Sequence, residues 1–482
     1  MSPAPKSASE PNRQPADCDV GGAGGSGGGR ERAMEEEKEN HCQFFLPSKR
    51  RFCANTPLSS TKFCGNHNPS PKSQRLPCPI DPSHSVLSEN LDSHVKKCPF
   101  KKQAEALETK PYYSKGINGG GGTPEEEKTG SEAKRRAVHK LSLDEFDRLI
   151  GKIRAFHSWF QVELLESFAE PDACKKWLKQ QTDRQVPYQE KHVMQQISIL
   201  GNMEAFGILK KPLGSCQEIR ECDDMGGEKD EAKAVIEFGA GRGYLTHMLA
   251  DCYGLKKIFM VERRSYKLKA DRSLRQDQSI SLERLRIDIE DLNLHGIESL
   301  KGHRYLAIGK HLCGSATDLA IRCCFPYQHN LNKRVLSSSC YLQGLALATC
   351  CHHLCQWNSY INTSLLCERG ITKEDFDAIT WFSSWAVDAD HSSDELPNMY
   401  NEGIPHSTRE AKEPNQEDKG VEEIIKSMQS RERAGLGFMC KEIIDLGRLL
   451  WLRDHALDAQ LVKYVPSSIS PENHLLVAKC RI

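Results

Sequence analysis

The sequence predicts an α/β protein built on a doubly wound, mostly parallel sheet and preceded by two small modules rich in cysteine and histidine. Three observations carry this expectation. From residue 233 onward, short apolar runs alternate with helical or mixed segments, the pattern of successive βα units. The first of those runs ends in a glycine-rich loop that opens a helix. The chain also holds 20 cysteines in 482 residues, and residues 41–100 are dense in Cys, His and Pro.

Residues 1–40 are rich in Gly, Pro, Ser and charge, bury too little apolar surface to offset their ordering entropy, and are expected to be disordered. Residues 41–70 and 75–102 are the two Cys/His modules. Residues 103–138, with Gly119–Gly122 and Glu125–Glu127, read as a flexible linker. Residues 139–210 form a helical region. Ser142 and Glu145 make a capping box, followed at helical spacing by Leu143, Phe146, Leu149, Ile150 and Ile153. A second helix over about 189–206 carries Met194, Ile197 and Leu200. The main domain spans 211–482. It opens on a polar loop (214–231) and continues with strands at 233–238, 257–262, 282–288, 305–309 and 344–349. Residues 391–432, polar and carrying Pro405 and Pro414, read as a flexible insertion. A helix over 437–456 and a strand pair, 459–465 and 473–480, close the domain.

Composition excludes some functions. Lys+Arg and Asp+Glu are both 66, so any charged partner must be recognised locally. No apolar run is long enough for a membrane span, and no apolar leader opens the sequence. The expectation is an intracellular protein of cytoplasm, nucleus or both, not secreted. Its cysteines then serve as metal ligands and free thiols rather than disulfides.

The glycine-rich loop is Glu237-Phe238-Gly239-Ala240-Gly241-Arg242-Gly243. Its third glycine comes one residue earlier than in the dinucleotide fingerprint. Glu237, just before the loop, would repel a pyrophosphate but suits a cationic amino-acid group. Glu262 ends the second strand, where a carboxylate can bind two ribose hydroxyls. Together these features resemble the class I S-adenosylmethionine-dependent methyltransferases. That resemblance implies that Gly239, Gly241 and Gly243 line the methionine part, Glu262 the ribose and Asp288 the adenine edge. The bland alternative for Glu262 and Asp288 is a pair of solvated strand ends.

Cys78, His84, His94 and Cys98 supply four ligands of the kind tetrahedral zinc takes, with Leu87, Leu91 and Val95 as a tiny core. Their order resembles the CHHC zinc finger of RNA-associated proteins. Cys42, Cys53, Cys64 and His67 form a second set of three cysteines and one histidine, with His41 as a competing ligand. Between them, Lys49, Arg50, Arg51 and Phe52 suit either phosphate contact and base stacking or a solvated basic loop.

Two stretches follow the fourth and fifth strands, at the sheet edge where such folds bind ligands: Lys310-His311-Leu312-Cys313-Gly314-Ser315 and Cys350-Cys351-His352-His353-Leu354-Cys355. With Gln195–Asn202 and the two zinc modules, they resemble the eukaryotic tRNA 2′-O-ribose methyltransferases that modify the nucleotide at acceptor-stem position four. The resemblance spans about 41–482. It implies methyl transfer from S-adenosylmethionine to a ribose hydroxyl in tRNAs of the glycine, proline and histidine type.

A ribose hydroxyl must lose its proton as it attacks, so a base or cation is needed beside it. Lys310 is expected as base or hydroxyl orienter, with a phosphate contact as the alternative, and His352 and His311 follow as catalytic candidates. For His311 and His353 a hydrogen-bonded core position is the competing reading. Cys350, Cys351 and Cys355 invite a third zinc site, but neighbours on a strand point to opposite faces. Cys313, Cys323 and Cys324 read as buried small apolar residues, and Trp381 and Trp385 as core. Basic runs expected to meet the tRNA acceptor stem are Lys96, Lys97, Lys101 and Lys102; Lys134, Arg135 and Arg136; and Arg263, Arg264, Lys267 and Lys269. No protein partner is expected. The competing functions are a methyltransferase for an RNA base or a protein, and a non-catalytic RNA-binding zinc protein.

Overall fold

The computed structural model describes residues 42–46, 51–53, 56–57, 59, 61–64, 75–80, 84–121, 129–160, 164–183, 190–212, 232–264, 274–325, 342–387 and 420–481. The expected disordered segment 1–40, the polar loop 214–231, residues 391–419 of the expected insertion, and His41, Lys49, Arg50, His67, Lys267 and Lys269 lie outside them. The chain divides into two compact units, residues 1–104 and 105–482. Among the described residues, no helix is long and apolar enough to cross a membrane.

The first unit holds two short antiparallel pairs: Phe45–Leu46 with Arg51–Phe52, and Arg75–Pro77 with Ser85–Leu87. A helix, Leu91–Lys97, follows the second pair. Leu87, Leu91 and Val95 are only half-buried. So slight a core cannot hold this module alone, which leaves its fold dependent on the cysteines and histidines.

The second unit is organised by one sheet: β1 Leu165–Glu166, β2 Ala234–Phe238, β3 Lys257–Val261, β4 Ser281–Leu285, β5 Tyr305–Cys313, β6 Leu342–Cys350, β7 Leu457–Lys463 and β8 His474–Cys480. The strand order is β1-β7-β8-β6-β5-β2-β3-β4. Only β8 runs against its neighbours, β6 and β7. Side chains of β2 alternate between two cores. Ile236 and Phe238 join the layer of Phe146 and Ile153, while Val235 joins that of Leu200 and Met248. A strand covered on both faces must be apolar at nearly every position, and in β2 Glu237 alone interrupts the run.

Seven helices matter here: α1 Ser131–His139, α2 Leu143–Phe160, α3 Glu190–Ala205, α4 Tyr244–Tyr253, α5 Ser315–Cys324, α6 Lys373–Phe382 and α7 Ser430–Asp454. The capping box of α2 is formed: Ser142 N donates to Glu145 Oε2 at 2.8 Å, and Glu145 N donates to Ser142 Oγ at 3.3 Å. Trp385 is buried and Trp381 packs beside it, as expected.

Two expected flexible segments are corrected. Much of the linker 103–138 is ordered within the second unit. Asn118 is buried and donates to the carbonyls of Ile289 and Leu292 at 2.7 and 2.8 Å. In α1, Lys134 and Val138 are buried one turn apart. The Lys134 ammonium donates to Cys355 O at 2.7 Å and Thr380 Oγ1 at 2.8 Å, with Asp377 at 3.5 Å. A glycine- and charge-rich composition concealed these contacts because their partners lie far along the chain. The tail of the insertion 391–432 is likewise helical, in Val421–Ser427 and the start of α7. Val421 and Ile425, four residues apart, give that short helix an apolar stripe.

After β2 the chain winds outward through β3 and β4, then returns to place β5 on the other side of β2. The order therefore reverses between β2 and β5, and a crevice at the carboxyl ends of those two strands is where such sheets bind ligands.

Candidate active site

The glycine loop leaves β2 at this crevice. Gly239, Gly241 and Gly243 have φ of 62°, 51° and 76°, a region that side-chain-bearing residues enter only under strain. A Cβ on Gly243 would also stand 2.7 Å from the Met260 methyl carbon. Among the described residues, nothing lies nearer than 3.9 Å to the corresponding position on Gly241, so the loop has room for a ligand on that side.

Glu237 directly precedes the loop and Glu262 bonds to it, whereas Asp288 lies beyond β4 with partners of its own. Glu237 is buried in β2, where its Oε2 accepts from the Thr246 hydroxyl and from Thr246 N at 3.3 Å. Burial pushes its carboxyl up to about 7, against the Thr246 hydrogen bonds and the Arg284 and Lys310 cations. Glu262, immediately after β3, accepts from Gly241 N at 3.0 Å and Arg264 N at 2.8 Å. Asp288 caps the next turn through Glu290 N at 3.1 Å and pairs with Arg263 at 3.2 Å. Arg284, which sequence reasoning passed over, braces the loop by donating to Gly241 O at 3.0 Å. Its place inside a strand, between Glu283 and Leu285, gave no distinctive signal.

The other wall comes from β5, which runs on to Cys313 instead of ending at 309. Ala348 pairs with Lys310 and Thr349 with Leu312, so His311 is an extra residue in the ladder, with φ 63°. A bulge of this kind re-aims side chains at a strand end. Lys310 is half-buried, and its Nζ lies 3.3 Å from His192 Nδ1. Burial lowers the ammonium to about 8, although the Glu237 carboxylate and the Cys350 sulfur favour its charge. His311 is pushed down to about 4 by burial and by Lys310 and His192, and so is neutral near pH 7.

His192 had no sequence signal of its own. Its position follows from α3, whose Gln195–Asn202 segment is buried against the sheet beside β6 and β8. Ser198 donates to Tyr464 O, and Asn202 Nδ2 to Ser167 O at 2.9 Å. A Cβ on Gly201 would overlap the Ala169 carbonyl. These contacts seat the helix so that its first turn reaches Lys310.

His352 is corrected as a candidate base. It is 2 % exposed; its Nε2 lies 2.8 Å from Asp445 Oδ2 and its Nδ1 3.4 Å from Glu472. It belongs to a buried charge network behind the site. Asp445 also meets His474 at 2.8 Å, Thr349 at 2.9 Å and Arg448 at 2.9 Å. Arg448 in turn makes a two-pronged contact with Asp318 at 2.6 and 3.1 Å. Cys355 is buried in this network, 3.2 Å from Arg448 Nη2, and not beside Cys350. Cys323 and Cys324 are buried as expected, but Cys313 is exposed, because it ends the strand at the rim of the sheet.

In the first unit, the ligand atoms of Cys78, His84, His94 and Cys98 all lie within 4.8 Å of one another, with the two sulfurs 3.9 Å apart. Tetrahedral zinc with bonds of about 2.3 Å to sulfur places its sulfurs about 3.8 Å apart, so the donor set fits that ion. Cys42, Cys53 and Cys64 converge in the same way, with Cys53 and Cys64 sulfurs 4.0 Å apart. Phe52 is 57 % exposed, and Lys96, Lys97, Lys101 and Lys102 face solvent. Lys134 is removed from the expected nucleic-acid-binding runs by its burial. Arg135 and Arg136 pair with Glu132, and Arg263 with Asp288.

Comparison with known proteins identifies the family and both zinc modules. Residues 194–479 match the family model of Methyltransferase TRM13. Residues 40–68 match the CCCH zinc finger in TRM13 protein, and residues 75–99 the U11-48K-like CHHC zinc finger. A tRNA:m(4)X modification enzyme TRM13 of Oryza sativa subsp. japonica is 56% identical over 235 residues, 47% of this chain and 90% of that protein. A Mus musculus homolog is 28% identical over 495 residues, 91% of this chain and 94% of that one. Among solved structures, the plantazolicin methyltransferase BpumL in complex with SAH overlays with a TM-score of 0.27 at 12% identity, over 70% of this chain and 98% of that one, too distant to carry weight. The chain belongs to the Methyltransferase TRM13 family.

Proposed function

We propose that this chain transfers the methyl group of S-adenosylmethionine to the ribose 2′-hydroxyl of the nucleotide at acceptor-stem position four, in tRNAs of the glycine, proline and histidine type. The observation that carries the reading is Lys310. A half-buried amine lowered to about 8 stands across the switch point from the glycine loop, flanked by the His192 imidazole. The printed names of the TRM13 relatives support tRNA as the substrate.

S-adenosylmethionine, when bound, supplies an electrophilic methyl group. Glu237 suits its cationic amino-acid end, because pairing with a cation offsets the cost of burying that carboxylate. Glu262 suits the ribose hydroxyls and Asp288 the adenine edge. Lys310 takes the proton of the attacking hydroxyl. With a pKa of about 8, roughly one molecule in ten holds the neutral amine at pH 7, against about one in 2,500 for an ordinary lysine near 10.4. His192 keeps the amine oriented. His311, neutral at pH 7, adds no competing charge. The zinc modules, through their exposed lysines and Phe52, grip the tRNA by phosphates and stacking.

The test is methyl transfer from labelled S-adenosylmethionine to unmodified tRNA, followed by mapping of the modified nucleotide. A 2′-deoxyribose at position four should abolish transfer, as should Gly241→Arg and Lys310→Ala in folded protein. Continued methylation of the deoxy substrate would move the acceptor to a base.

A further inference from the structure

Three thiols meet at the carboxyl edge of β5 and β6, and none of them has a role in the reaction above. Cys313 ends β5 directly opposite Cys350, which ends β6. Cys351 follows in a left-handed conformation, with φ 50°. On a regular strand, side chains 350 and 351 would point to opposite faces. The left-handed residue breaks that alternation and returns the Cys351 thiol to the side of the other two. All three sulfurs lie within 4.8 Å of one another, with Cys313 and Cys350 3.3 Å apart.

Sulfurs also converge in the two zinc modules of this chain, 3.9 and 4.0 Å apart, so an ion here would open the Cys313–Cys350 pair by about 0.5 Å to the tetrahedral spacing. Burial alone does not account for the cluster. Cys350 is buried, but Cys351 is half-buried and Cys313 exposed, so two of the three are not packed as small apolar residues and an ion can reach them. Among the described residues, the other buried group of metal-ligand type outside the zinc modules is His352, Asp445 and His474, where one Asp445 oxygen already meets both imidazoles and Arg448 neutralises the carboxylate.

We propose that Cys313, Cys350 and Cys351 hold a third zinc ion, bound by three thiolates with an exchangeable fourth ligand. Each thiol gives up its proton to solvent on binding. Three thiolates and a divalent ion leave one net negative charge, which the neighbouring Lys310 ammonium faces. The ion pins the ends of two strands that carry no further ladder, and so fixes the bulge that presents Lys310 and His311.

The test compares full-length wild type with Cys313→Ser, Cys351→Ser and, as a control, Cys367→Ser, an exposed cysteine in the helix Thr363–Glu368. Proteins are purified under reductant without chelator, and zinc per chain is measured by mass spectrometry. Cys313→Ser and Cys351→Ser should each hold one equivalent less than wild type, and Cys367→Ser the same as wild type. In wild type, alkylation of Cys313 should be slow with zinc bound and at least tenfold faster after chelation, a readout that does not depend on any variant folding. Equal zinc in all four proteins would overturn the proposal. So would unprotected Cys313 in the zinc-loaded chain, or a Cys313–Cys350 disulfide in the protein as isolated.

Discussion

Replacing Arg448 with methionine should cost about 3–5 kcal/mol of stability, the usual cost of stranding one side of a buried ion pair. The guanidinium is 1 % exposed and serves both Asp318 and Asp445, as well as Gly314 O at 3.1 Å. Its loss falls unequally on the two acids. Asp445 keeps His352, His474 and Thr349, whereas Asp318 keeps the Ile361 amide at 3.2 Å. Most of the cost therefore sits on Asp318, and neutralising it should recover part of the loss. Urea unfolding at pH 7, followed by tryptophan fluorescence, gives the free energies for Arg448→Met, Asp318→Asn and the double variant. The double variant should fall short of the sum by about 0.5–3 kcal/mol. The acid side has a definite sign. Against burial, which raises it, His352, His474 and Arg448 hold the Asp445 carboxyl well below the usual range. The stability it confers is present above the unfolded value near 4 and is lost as pH falls through the folded one. Additivity within about 0.5 kcal/mol, or a loss under about 1 kcal/mol for Arg448→Met, would refute the reasoning.

Three further outcomes are expected. If Lys310 is the base, kcat/KM for tRNA should rise about tenfold per pH unit and level off near pH 8; Lys310→Arg, whose side chain stays protonated, should cost about 100-fold or more in single-turnover assays. Glu237, raised to about 7, should make wild type bind S-adenosylmethionine more tightly from pH 6 to 8 and release a proton on binding at pH 6, since a cation selects the carboxylate form; calorimetry in two buffers should show this, and Glu237→Gln should be flat. Lys134→Met strands the Cys355 carbonyl and Asp377 and should lower stability by about 1–3 kcal/mol in the same urea assay, with little effect on zinc content.

What could be read from the sequence follows from the range of the interactions. The strands β2 and β3 and the loop between β2 and α4 are local patterns, a continuous apolar run and glycines at fixed offsets. They bring Glu237, the three glycines and Glu262 to one loop. Lys310 was singled out because it follows the expected strand 305–309, which in the structure continues through it to Cys313. His352 was misjudged for the same reason: a histidine after a strand reads as a cleft residue until Asp445, 93 positions away, is known to hold it. Arg448 and Asp445 lie within a helix whose charges suggest a solvated face. Lys134 was taken for a nucleic-acid contact because a charged run gives no hint that one of its members turns inward. His192 depended on how α3 packs, which no local pattern specifies.

The burial of Lys134 also sets a timetable for synthesis. Its hydroxyl partner, Thr380, lies 246 residues downstream. At about 5–20 residues per second, the α1 segment waits roughly 12–50 seconds outside the ribosome before its docking surface exists. During that interval a lysine destined for the interior is solvated, and that charge keeps the short amphipathic helix from associating with other apolar surface. The N-terminal region of the second unit is therefore made first and docked last, and any truncation ending before residue 380 leaves it without a place to bind.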